Sequence, residues 1–440
     1  MSARWARITC MQSKRELWHK ARRYVRRVVR IYVPRMVGRM QYALHRTPLL
    51  LAVVLAAIAG FALAQYFGYW VRREIGSDGA DSAIQLDAFR TGLAMVAGAG
   101  GAVALVVAYR RQRDLEQGRF VERFGAAAKQ LGDVDAAVRL AGAHAMAGVA
   151  DESREFGRRQ QCIDVLCEYL RLPYDPAQGA SQRSEVTTKT SRCEEPNQVE
   201  VTETVRIRQN DRQVRQAIVR IIVAHLDKGR EHRWSRHNFD FSRVLFEDAK
   251  FSRVVFDGEL VSFEESVFHG DTRFGAADFG GANLSFKDAR FKGRASFHGA
   301  TIGAVSNTFT AATFEGSAEF GNATFAGMAT LFTHTRFEGL QTSFKDATFA
   351  TSVITEFGGA VFRGIHTTFE QAEFHPSRQG HLFRGALFEG REVTFESPRM
   401  WESIKFDWDS KPDLIPDCVR PQEWPPTANP DQPKFRAIRI

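Results

Sequence analysis

Phenylalanine recurs along residues 239–395 at a spacing that few folds can satisfy. Of the chain's 35 phenylalanines, 27 fall in this stretch. Most form pairs five residues apart: Phe263/Phe268, Phe274/Phe279, Phe286/Phe291, Phe309/Phe314, Phe320/Phe325, Phe332/Phe337, Phe344/Phe349, Phe357/Phe362, Phe369/Phe374 and Phe383/Phe388. Ile302 closes the pair that Phe297 opens, and pair openers recur every 11 to 14 residues. Alanine stands two residues before most closing members, as at Ala249, Ala277, Ala289, Ala300, Ala312, Ala323, Ala347, Ala360, Ala372 and Ala386. A step of five fits neither a 3.6-residue helix nor the alternation of a strand. Self-similarity at a fixed period marks a stacked repeat. Glycines that follow the aromatics (Gly258, Gly270, Gly280, Gly293, Gly316, Gly327, Gly339, Gly358, Gly364, Gly390) suit tight corners. The expectation is a solenoid with phenylalanines pointing inward and alanines leaving them room, two repeat units closing one four-sided coil. Coils spaced at about 4.8 Å give roughly seven coils over about 30 Å. A Phe-rich β-sandwich is the competing reading, but it gives no reason for a fixed period.

The FxxAxF units resemble the pentapeptide-repeat family, whose fold is a right-handed quadrilateral β-helix. Phe241, Phe246, Phe251 and Phe256 keep the family's strict spacing of five. Beyond Phe256, steps of five alternate with steps of six to nine, so the resemblance implies a quadrilateral coil with two enlarged faces.

Charge and hydropathy divide the rest of the chain. Residues 1–48 hold 13 Lys/Arg against the single acid Glu16, whereas 239–396 hold 14 Lys/Arg against 20 Asp/Glu, a net of 14 − 20 = −6. In the basic arm, Leu17, Ala21, Tyr24, Val28 and Ile31 make a helical stripe among arginines, ended by Pro34. Such an arm before an apolar span is expected to lie on anionic lipid headgroups; direct nucleic-acid binding is the weaker alternative. Residues 49–70 and 91–109 are uncharged runs of 22 and 19 residues, long enough to be read as bilayer spans. Ala52, Ala56, Gly60, Ala64 and Gly68 recur every four residues, as do Ala94, Gly98 and Ala102. That pattern predicts close packing as a hairpin or homodimer. Basic residues before the first run and after the second (Arg110, Arg111, Arg113) predict a two-span protein of the cell membrane with both termini cytoplasmic. Ala62-Leu63-Ala64 has the form of a signal-peptidase site, but the apolar run continues past it.

Residues 111–234 read as a helical collar. Its stripes are Phe120, Phe124, Ala127, Leu131; then Val134, Val138, Ala141, Ala145, Val149; then Ile163, Leu166, Cys167, Leu170; and finally Val214, Ile218, Ile221, Ile222. The polar stretch 173–204 is expected to be a disordered insertion. The collar should cover the first coil, whose Phe layer and strand edge would otherwise be open. The β-helix is placed at 235–400 and a C-terminal cap with a Pro-rich tail at 401–440. RFVERFGAAAKQLG (119–132), VRLAGAHAMAGVADES (138–153), VLCEYLRLPYDP (165–176), VRQAIVRIIVAHL (214–226) and NFDFSRVLFEDAKF (238–251) follow the two apolar runs in order. That set is similar to actinobacterial membrane-anchored pentapeptide-repeat proteins over roughly residues 45–400. The resemblance implies a membrane-anchored α + β chain: a transmembrane hairpin over 49–110, a small cytoplasmic helical bundle and a right-handed quadrilateral β-helix. It implies no reaction.

No catalytic, cofactor or metal site is expected. His269, His298, His334, His366, His375 and His381 read as outward or corner positions on separate coils, without ligand spacing. His225 reads as a side chain meeting the last carbonyls of its helix. Cys162 and Cys167 lie on different helix faces, and Glu264, Glu265 and Asp271 read as solvated. Gly98-Ala99-Gly100-Gly101 has no preceding strand and is no phosphate loop. The five cysteines form no CxxC pair. The reading is a non-enzymatic, membrane-tethered scaffold for a cytoplasmic protein; the alternative is a DNA mimic acting on a topoisomerase such as gyrase.

Overall fold

In the computed structural model the described residues are 82–178, 185–194, 197–206, 210–227 and 234–429, with Ala62, Tyr66 and Tyr69 as isolated helical positions. The basic arm, almost all of the apolar run 49–70 and the tail beyond 429 lie outside them. The chain divides into two units, Met1–Arg119 and Phe120–Ile440. Helix α1 (Ser82–Leu131) carries the second apolar run, where side chains are described at only some positions. Among the described residues no helix is long and apolar enough to cross a membrane. Leu105, Val106, Val107 and Tyr109 are exposed on α1.

The second unit begins with three further helices. Helix α2 (Ala136–Glu152) starts where the Asp135 carboxylate accepts from the Ala137 N–H at 2.7 Å. It buries a different face from the expected one. Val134 is 88% exposed, whereas Gly142, Ala143, Met146, Ala147 and Ala150 are buried. The cause is close backbone approach: a Cβ on Gly142 would lie 2.4 Å from the Leu131 amide nitrogen. Helix α3 (Phe156–Arg171) and helix α4 (Asp211–Leu226) bury the anticipated stripes. A buried polar centre ties the three together. Asp211 accepts from the Tyr169 hydroxyl at 2.6 Å and sits 3.8 Å from Arg139, whose guanidinium donates to the Val134 carbonyl at 2.8 Å. The stretch expected to be a disordered insertion instead holds an antiparallel ribbon, β1 (Glu185–Glu194) with β2 (Asn197–Arg206). Its alternating valines and threonines supply strand propensity without apolar bulk.

From Phe239 the chain winds into a right-handed-type β-solenoid of about eight turns with four parallel sheets, one per face. The first face runs from strand 239–240 to strand 404–405 and the second from 245–247 to 387–388. The third runs from 272–273 to 419–420 and the fourth from 255–256 to 400–401. Register is held ring over ring, as in Phe291↔Phe314↔Phe337. Every phenylalanine from Phe239 to Phe395 is buried, none beyond 9% exposed. Rings of one column stack nearly parallel, as in Phe320–Phe344 at 4.8 Å and 4°, and neighbouring columns meet edge to face, as in Phe309–Phe320 at 90°. The extra residues of the six-to-nine steps enter ahead of the first and third faces, whose later strands are three residues long.

Two expectations change here. The coil count rises from seven to about eight because Trp401 and Phe406, beyond the last ring of the regular ladder at Phe395, continue the columns. Trp401 pairs with Phe374, and Phe406 stacks on Phe383 at 4.7 Å. Residues 401–408 are therefore part of a coil and not a lid over one. The tail then returns, Val419 pairing with Val393, and Trp424 closes the end edge-on to Phe395, Trp401, Phe406 and Trp408.

Glycine also has a different job from the one expected at most positions. Many tight corners turn through non-glycine residues in the left-handed region, such as Asp288 (φ 55) and Asp346 (φ 58). Above Gly270, which does turn in the left-handed region (φ 80), Gly293, Gly316, Gly339, Gly364 and Gly390 instead form a spine between the second and third faces. A Cβ on Gly339 would sit 2.1 Å from the Gly316 carbonyl oxygen. Gly339→Ala must therefore displace backbone, and a loss of about 1–3 kcal/mol is expected. Gly275→Ala, whose Cβ would meet nothing nearer than 3.7 Å, should stay within about 0.5 kcal/mol. Chemical denaturation of the two variants side by side checks this; equal midpoints would reject the close-approach argument.

Candidate interaction surfaces

A parallel solenoid leaves an open strand edge and an apolar ring layer at each end. At the N-terminal end side chains take the place of the missing coil. The Gln160 amide accepts from the Asn238 N–H at 2.9 Å and donates to the Asn238 carbonyl at 2.8 Å, as a neighbouring strand would. Arg215, buried on α4, donates to the Leu245 carbonyl at 3.2 Å and to the Leu170 carbonyl. Trp234 donates to Asp151 at 3.0 Å and stacks on His225, which meets both Asp151 and the Ile221 carbonyl of its own last turn. At the far end Trp424 covers the rings, and the buried Arg399 pairs with the buried Asp346 and lies 3.8 Å from Glu373. With both ends covered, the long outer sides are what the solenoid leaves exposed.

Those sides differ in chemistry. Several acids on the later coils are partnered by bases of a neighbouring coil. Arg294 pairs with Glu319 at 2.7 Å, Lys345 with Glu370 at 2.9 Å, and Arg363 with Glu389 at 2.7 Å. Each such pair is worth about 0–1 kcal/mol, and they interrupt the acidic surface suggested by the net charge of the ladder. Ser285 donates to Glu264 at 2.7 Å, while Glu265 and Asp271 are exposed. The fourth face and the corner that follows it carry no charge over three coils: residues 299–314, 321–333 and 347–355 contain no Asp, Glu, Lys or Arg. Thr301, Thr324 and Thr348 stand in register there. Val305 and Met328 project beside them, 49% and 51% exposed.

One cleft lies in the collar. About 410 Å³ in volume, it opens between α4 and the first coil. On its wall Glu247 accepts from Arg212 at 2.8 Å and from the Tyr174 hydroxyl. Burial, then that hydrogen bond, raises the Tyr174 pKa to about 12.

Residues 251–301 match the family model described as Pentapeptide repeats (9 copies). No curated protein and no solved structure matches.

Among the described residues no group of three or more His, Cys, Asp or Glu is placed to hold a metal ion. Cys162 and Cys167 are both buried within the collar. Burial pushes the Cys162 thiol up to about 12 and the Cys167 thiol upward as well. His269, His298, His334 and His366 are exposed on the coils of the solenoid, but His381 is not. It is fully buried on the first face, in the inward row that also holds Thr355 and Ile404. Sequence spacing missed it because an inward histidine can occupy a row of small residues only where a backbone acceptor is near. Here His381 Nε2 meets the His375 carbonyl at 2.8 Å.

Burial holds His381, and likewise His237, below the ordinary histidine value of 6.5. The unfolded chain therefore binds these protons more readily than the folded one. The stability is present above 6.5 and lost as pH falls from there toward the lower folded values. Unfolding midpoints should drop between about pH 7.5 and about pH 5, and His381→Leu should shrink that drop. Denaturation series at several pH values test it; an unchanged pH slope in the variant would sink the assignment.

Proposed function

We propose that this chain is a non-enzymatic, membrane-tethered scaffold that holds a pentapeptide-repeat β-solenoid out to a protein partner. The observation that carries the reading is the uncharged band on the fourth face and its adjoining corner. Protein interfaces are depleted of charge at their centres, and a quarter of this chain's residues are charged. Three coils without a charge on one side therefore form a distinct surface, and Val305 and Met328 supply exposed apolar contacts on it. Support for the tether comes from the uncharged runs at 49–70 and 91–109 and from the exposed Leu105, Val106 and Tyr109 on α1. Duplex mimicry is less favoured, because a DNA mimic needs a continuous ladder of free carboxylates, and here bases on neighbouring coils interrupt it at Glu319, Glu370 and Glu389.

A photo-crosslinking residue at position 328 of the full chain in intact cells should give one discrete protein adduct. Met328→Glu, with the crosslinker moved to position 324, should remove it. Carbonate-washed membranes should retain the full chain. Equal labelling from the charged third face, or release by carbonate, would overturn the corresponding half of the proposal.

A further inference from the structure

The cleft between α4 and the first coil belongs to no role derived so far. Its floor is apolar, formed by Val219, Val223, Ala224 and Phe246, and its volume of about 410 Å³ falls in the range of small-molecule sites. The charges around it are unequally committed. Glu247 is fully engaged by Arg212 and Tyr174. Asp248 is exposed and accepts from the Asp271 N–H at 3.3 Å. Arg215 sits buried in the wall, with hydrogen bonds to the carbonyls of Leu170 and Leu245. Arg220 and Lys250 line the rim. Among the described residues no carboxylate forms an ion pair with Arg215, Arg220 or Lys250. The cleft thus offers an apolar floor beneath three cationic groups that no acid neutralises by contact.

We propose that this cleft binds a small amphiphilic anion, an apolar chain ending in a carboxylate or a phosphate. The chain lies along Val219, Val223 and Phe246, removing apolar surface from water. The head group lies between Arg220 and Lys250, where a carboxylate or phosphate gains charge-assisted hydrogen bonds. Gln216, on the same lining, adds a neutral donor. Bound there, the ligand bridges α4 and the first coil. The proposal does not depend on the scaffold reading, because the cleft is remote in sequence from the uncharged band and shares no residue with it.

The test is photoaffinity labelling of the full chain with a diazirine-bearing decanoate, the modified peptide being mapped by mass spectrometry. Saturable labelling is expected in the segments containing Val219–Ala224 or Leu245–Lys250. Decanoate or decyl phosphate should compete, and whichever competes better identifies the head group. Decanol and inorganic phosphate should not. Arg220→Glu with Lys250→Glu should weaken labelling by roughly tenfold or more. Ala224→Trp, which fills the cleft, should abolish it, with the circular dichroism spectrum unchanged; Met328→Glu should leave it intact. Labelling that does not saturate, equal competition by decanol, or insensitivity to charge reversal would each overturn the proposal. So would competition by an acidic leucine-rich peptide but by neither amphiphile.

Discussion

Phe320→Ala is expected to destabilise the solenoid by about 3–5 kcal/mol, the usual cost of emptying a buried ring site. Phe320 is fully buried near the middle of its column. It stacks on Phe297 at 4.9 Å and Phe344 at 4.8 Å, and meets Phe309, Phe314 and Phe332 edge-on. The close-packed rows above and below are tied by parallel hydrogen bonds, such as Phe320 N–H to the Ser343 carbonyl at 2.7 Å. The cavity therefore cannot readily collapse. Ile302 shows what the columns tolerate: it replaces a ring between Phe279 and Phe325 and remains fully buried. Phe320→Leu should accordingly cost less than half as much as the alanine variant. Because each coil touches only its neighbours, the loss should reach the next coils first. Hydrogen exchange of the amides near Phe297 and Phe344 should accelerate before those near Phe251. Uniform acceleration, or a loss under about 1 kcal/mol, would contradict a column of mutually supporting rings.

The second large effect belongs to the C-terminal end. Arg399→Met leaves the Asp346 carboxylate, only 4% exposed, without its guanidinium. Removing one partner of a buried pair costs about 3–5 kcal/mol, chiefly through the charge left behind. Asp346 also holds a left-handed corner at φ 58, a conformation that asparagine accepts. Asp346→Asn in the Arg399→Met background should therefore restore most of the loss, as the buried charge disappears without strain at the corner. A double-mutant cycle by chemical denaturation measures the coupling. Additive losses would mean that the pair is solvated and that Trp424 alone closes this end.

The inward and outward sense of the coils is legible because side-chain direction there is a local property. Ring pairs five residues apart, with alanine two before the closing ring, specify which side chains share the interior. All 27 rings between Phe239 and Phe395 accordingly prove buried. The same logic failed for α2. Nine of its 17 residues are alanine or glycine, so periodicity separates its faces weakly, and the choice fell to Gly142 meeting the backbone of Leu131. It failed again after residue 400, where Trp401 and Phe406 continue two columns after the regular pairs have ended. Of the candidate surfaces, the absence of charge over 299–314 could be read directly from the chain. That residues 321–333 and 347–355 lie beside it required the winding.

What the sequence determined alone is therefore the period, and with the period a four-sided coil packed with aromatic rings. Tertiary structure alone decided how polar groups are satisfied: Gln160 standing in for a strand beside Asn238, Arg215 on the carbonyl of Leu245, Arg399 beside Asp346. An apolar ring needs only a dry interior, which repetition guarantees. A buried charge or a bare strand edge needs one particular partner, and here that partner lies 30 to 78 residues away in the chain.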